Sequence, residues 1–126
     1  MNYETMNDYK LSHGTSKRGV VLSTYAELVE TFGKPLPGDG DKTRAEWVVL
    51  FRDDMDRDVV ATIYDWRRDE PLEAVTLWTI GGFYSDCVDL VEGAIAFVKD
   101  MKAHENEDIM HQWDFEWAEE AMRNER

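Results

Sequence analysis

Asp54, Asp56 and Asp58 alternate with other residues in the way that opens a calcium-binding loop, and Asp65 falls where such a loop closes. The glycine needed for the sharp turn of that loop is missing, because Val59 stands in its place. The residues after Asp58 have the composition of a strand, so the run from Asp53 to Asp58 reads as a solvated hairpin turn that forms an acidic patch. His13, His104 and His111 show no zinc spacing, and with Cys87 as the single cysteine there is no thiolate pair to complete one. No metal and no cofactor is expected.

Nucleophile chemistry finds no better footing. There is no Gly-x-Ser-x-Gly elbow, and Ser12, Ser16, Ser23 and Ser85 all fall in loops or at helix starts. Gly38-Asp39-Gly40 precedes a strand, whereas glycines that cradle phosphate precede a helix N-terminus, so it reads as a turn. Cys87 sits beside Val88 and Leu90 and between Asp86 and Asp89, which oppose a thiolate, so it reads as a small buried apolar residue. The chain is expected not to be an enzyme.

The chemistry that stands out is charge combined with indole. Acidic residues number 27 against 14 basic ones, a formal charge of -13 on 126 residues, and there are five tryptophans. Trp113 and Trp117 lie one helical turn apart among Asp114, Glu116, Glu119 and Glu120. Such a field repels a phosphate backbone, and the only adjacent basic pairs are Lys17-Arg18 and Arg67-Arg68, so direct nucleic-acid binding is disfavoured. The same field steers the protein toward basic surfaces. No apolar run is long enough to span a bilayer. Met1 is followed by Asn2, Tyr3 and Glu4 instead of a basic stretch and an apolar core. No secretory signal or membrane association is therefore expected, and the location expected is the cytosol of a host cell.

The elements that carry these residues follow from periodicity. Residues 1–18 are polar and aperiodic and read as an N-terminal arm, ahead of an α+β domain over 19–104 and an acidic C-terminal helix within 105–126. Thr24 and Glu27 form a capping box before the stripe Tyr25, Leu28, Val29 and Phe32, which Gly33 ends. Residues 46–51, 59–66 and 75–80 read as strands, the first two as a hairpin, and Gly81-Gly82 as the turn that ends the third. Val88, Val91, Ile95 and Val98 mark a second helix. Trp47 and Trp78 read as core and Trp66 as a rim residue beside Arg67 and Arg68. The fold expected is α+β, a small antiparallel sheet of three to four strands with helices packed on one face and the other face partly covered or used.

The stretches 24–35, Ala45-Glu46-Trp47, Val60 to Trp66 and Trp78 to Gly82 look like small uncharacterised accessory proteins of bacteriophages. The resemblance covers residues 24 to about 82 and excludes the arm and the acidic tail. It implies a viral origin and a role in host takeover or in countering host defence, in some such proteins by imitating nucleic acid.

The leading expectation is thus a non-enzymatic inhibitor that captures a basic host protein surface. Trp113, Trp117, Asp114, Glu116, Glu119 and Glu120 would form its face, and Asp53, Asp54, Asp56 and Asp58 a second patch. Two alternatives stand beside it. One is an assembly protein, with the Trp113–Trp117 helix packed across the two-fold axis of a homodimer. The other is a module that binds a small ligand such as a nucleotide near Gly81-Gly82 and Trp66.

Overall fold

The computed structural model describes residues 2–104. Residues 1–95 form one compact unit and residues 96–126 a second. The fold is α+β. Its sheet has six antiparallel strands, β1 (Asn2–Met6), β2 (Ser16–Leu22), β3 (Leu36–Pro37), β4 (Ala45–Arg52), β5 (Asp58–Tyr64) and β6 (Leu77–Gly82). The order across the sheet is β1-β4-β5-β6-β2, with β3 also on β4. Helix α1 is Tyr25–Phe32, and α2 begins at residue 86 and is described through 104.

The strand count corrects the expectation of three to four. Residues 2–6 are not irregular: they pair with β4 from Asn2 opposite Arg52 to Met6 opposite Val48. Residues 16–22 pair with β6 around a bulge between Lys17 and Gly19. Both are outer strands, polar over Asn2–Met6 and over Ser16 to Arg18, and a strand with one solvated edge needs little apolar patterning; only Val20-Val21-Leu22 reads by sequence as a short strand or a helix lead-in. The third expected strand is shifted to end at Gly82, so Gly81 and Gly82 lie inside β6 and do not form a turn. A Cβ on Gly81 would lie 2.6 Å from Thr62 Oγ1, and one on Gly82 2.6 Å from Cys87 Sγ. Close approach, not backbone conformation, is what demands glycine there.

Register sorts the side chains onto two faces, because successive residues of a strand alternate. Trp47, Val49 and Phe51 oppose Ile63, Ala61 and Val59, and Ile63 in turn opposes Ile80. This face carries the core together with Trp78, with Leu28 and Phe32 of α1 and with Cys87, Val91, Ala94 and Ile95 of α2. The indole N–H of Trp47 donates to the Gly33 carbonyl at 2.7 Å and that of Trp78 to the Ser23 carbonyl at 3.0 Å, so neither buried ring leaves a polar atom unmet. Thr24 and Glu27 make the expected capping box, and Gly33 ends α1 at φ 86°. The other face presents Glu46, Val48 and Leu50 beside Tyr64, Thr62 and Val60. It has no α-helix over it among the described residues.

Candidate functional site

A strap crosses that open face. β1 and β2 are at opposite ends of the strand order, so residues 7–15 must pass over the strands between them. Four inter-strand steps are about 19 Å, well within the reach of a segment of this length. The strap is folded, not loose. Lys10–Ser12 is a 3-10 turn, Ser12 N–H donates to the Tyr9 carbonyl, and the Ser12 and Thr15 hydroxyls donate at 2.6 Å to the carbonyls of Tyr9 and Ser12. Gly14 turns the chain at φ 86°.

Between strap and sheet lies a cavity of about 410 Å³, a size that suits a small ligand. Tyr9, Ser12 and Thr15 form the strap side. Glu46, Thr62 and Tyr64 form the floor, and Asp39, Thr43 and Trp66 the far end. Among the described residues no Lys, Arg or His lines it. A second cavity of about 380 Å³ at the β1 edge holds Arg52, already paired with Asp58, together with Glu4.

The far end is held by two carboxylates with structural tasks. Asp39 Oδ1 accepts the backbone N–H groups of Asp41, Lys42 and Thr43 at 2.8–3.0 Å, and Asp39 N–H donates to Thr43 Oγ1. These backbone donors, that of Thr43 foremost, hold the Asp39 carboxyl below the usual carboxylate range. Asp65, fully buried, accepts Arg44 and Ala45 N–H on Oδ1 at 2.8 and 3.1 Å and Arg44 Nε on Oδ2 at 2.9 Å. It thereby ties the start of β4 to the end of β5. The closing aspartate of the apparent calcium loop is thus spent on the backbone, and no group of three or more metal-ligating side chains occurs among the described residues.

Glu46 is different. Burial raises its carboxyl above the ordinary value and the neighbouring Asp39 charge raises it further, while no hydrogen bond reaches it among the described residues. Its charge in turn adds to burial in raising the Tyr64 phenol, and it acts with Asp39 in the same way on Tyr9. The Tyr9 hydroxyl is sealed from solvent without a partner, a state that costs roughly 1–3 kcal/mol. At the mouth, Trp66 meets Tyr64 edge-to-face at 6.1 Å and carries Lys42 Nζ and the Arg67 guanidinium at 5.5 and 5.2 Å from its centroid. The site is therefore an electronegative, hydroxyl- and ring-lined well with cations at its rim.

The sequence-derived residues divide around this well. Trp66 lines it, and Gly81 sits against Thr62 in its floor. Asp53, Asp54, Asp56 and Asp58 lie at the other end of the β4–β5 hairpin, about 20 Å along the strand from Glu46. Arg57 pairs with Asp53 at 2.8 Å and with Asp86 at 3.4 Å, and Arg52 with Asp56 and Asp58 at 3.4 and 3.1 Å. Trp113, Trp117, Asp114, Glu116, Glu119 and Glu120, with the C-terminal helix expected to carry them, lie outside the described residues. By sequence Tyr9 stands out, with Tyr3, as a possible docking point of the N-terminal arm and Asp39 only as part of a turn, while Glu46, Thr62 and Tyr64 are not singled out. The available signal was the hairpin register, which puts Glu46 opposite Tyr64 on the face without the core. Comparisons with protein-family models, with curated proteins and with solved structures find no match.

Proposed function

We propose that the protein is a non-enzymatic binding module that takes a small ligand into the cavity between its N-terminal strap and its open sheet face. The observation that carries this reading is the half-buried Glu46 carboxylate, which faces a 410 Å³ space with no protein donor to meet it. Desolvating a carboxylate without a partner is costly, and a ligand that donates to it removes the cost. The test is a thermal-shift panel of nucleosides, nucleotides, sugars, amino-acid derivatives and polyamines. At a hundredfold excess over Kd a true ligand adds about 2.7 kcal/mol of stability. Ser12→Trp, which fills the cavity from the strap, is expected to abolish the shift. A panel without any shift refutes the reading.

A second reading is favoured by the formal charge of -13. It is a phage-type inhibitor in the host cytosol that binds a basic protein surface, with the Trp113–Trp117 segment as its face or as a homodimer contact. The described acidic turn supports it only in part, since Arg52 and Arg57 offset two of its charges. Reversal of Glu116, Glu119 and Glu120 to Lys should then weaken capture from host lysate at low salt, and unchanged capture rejects it.

A further inference from the structure

The geometry points to a planar, N–H-donating cation of the guanidinium type as the group this cavity receives. The inference rests on the cavity being a binding site and names what enters it. Glu46 and Asp39 supply two carboxylates to one well, and among the described residues no cation lines it. Lys42 and Arg67 are engaged with the Trp66 ring at the mouth, and neither side chain pairs with Glu46 or Asp39. Every titratable group facing Glu46 from the strap, the 38–43 loop and β5 is acidic or phenolic, namely Tyr9, Asp39 and Tyr64. An anion is repelled from such a floor, and a phosphate would be confined to the rim. A neutral polyol could donate to Glu46 but would leave the excess charge uncompensated.

A guanidinium meets both demands. Its coplanar N–H fork matches the two oxygens of one carboxylate, and its flat faces stack on aromatic rings. The Arg67 guanidinium 5.2 Å from the Trp66 centroid shows that the rim already accepts this group. The same chemistry can arrive as a small molecule or as an arginine side chain on a peptide.

Isothermal titration tests this with agmatine, a blocked Gly-Arg-Gly peptide, putrescine, and N-carbamoylputrescine, the isostere that keeps agmatine's ammonium but carries a neutral urea in place of the guanidinium. Agmatine is expected to bind, putrescine more weakly, and the isostere weakest of all. Tighter binding of the peptide than of agmatine assigns the source as a protein partner, and the reverse assigns a free small molecule. Glu46→Gln, confirmed folded by its melting transition, should lose about tenfold or more in affinity, the ratio expected for a hydrogen bond to a charged group. Lowering the pH through the raised Glu46 titration should weaken wild type but not Glu46→Gln. If the isostere binds as tightly as agmatine, or Glu46→Gln leaves agmatine affinity unchanged, the guanidinium assignment is wrong. Should a nucleoside or sugar bind in a manner blocked by Ser12→Trp while agmatine does not, the cavity reading survives and this one falls. Binding by no compound of any charge removes both.

Discussion

Asp65→Ala probes the clamp that holds the far end of the cavity. In the wild type one fully buried carboxylate accepts three hydrogen bonds, two from the backbone of β4 and its entry and one from Arg44. Breaking a buried ion pair by removing one partner costs roughly 3–5 kcal/mol. The Arg44 side chain is 37% exposed, so water takes over part of its charge, and the ionic share must be discounted. The buried Ala45 N–H, left without an acceptor, restores some of the loss at roughly 1–3 kcal/mol. A net destabilisation of about 2–4 kcal/mol follows, or roughly 10 °C in Tm for a chain of this length. Asp65→Asn keeps an acceptor for both backbone N–H groups and turns an amide NH₂ toward Arg44, so it should cost about half as much. Urea unfolding followed by tryptophan fluorescence and by circular dichroism gives both values. A loss below about 1 kcal/mol for the alanine variant, or equal losses for the two, refutes the clamp.

Gly81→Ala should cost about 1–3 kcal/mol, because the new Cβ falls 2.6 Å from Thr62 Oγ1, and Thr62→Ala should recover part of it in a double-mutant cycle. Stability should fall as pH drops below about 4, since Asp39 and Asp53 are held low in the folded state and their contribution is lost as pH falls through the folded values. Glu46 has the opposite sign: its raised folded value favours the fold below its unfolded value and loses that advantage as pH rises. Glu46→Gln should therefore stabilise the protein near neutrality and not in acid, as urea midpoints across pH will show. Cys87, fully buried with its thiol pushed up by burial, should react with a thiol reagent only as fast as the fold opens. Prompt labelling of the native protein contradicts the packing of α2 on Gly82.

The core was legible in the sequence because its signals are local. The Thr24–Glu27 box, the stripe through Leu28 and Phe32, and the alternation Trp47, Val49, Phe51 each announce one element within a few residues. β1 and the start of β2 escaped because they are polar and are held by partners about 42–66 positions away, whereas Val20-Val21-Leu22 at the end of β2 reads by sequence as a short strand or the lead-in to a helix. Gly81-Gly82 has the usual look of a turn, and only the neighbours Thr62 and Cys87 show why glycine is needed. The cavity was the hardest part to see. Tyr9, Asp39, Glu46 and Tyr64 come from separate segments, and what assembles them is topology.

The strap contributes one side of the cavity yet supplies no residue to the hydrophobic core. Substitutions along residues 7–15 can consequently reshape the recess while the hydrophobic core under the helices stays untouched. The shape and lining of the recess can change at little thermodynamic risk, through a short tether whose two ends are already fastened to opposite margins of the scaffold.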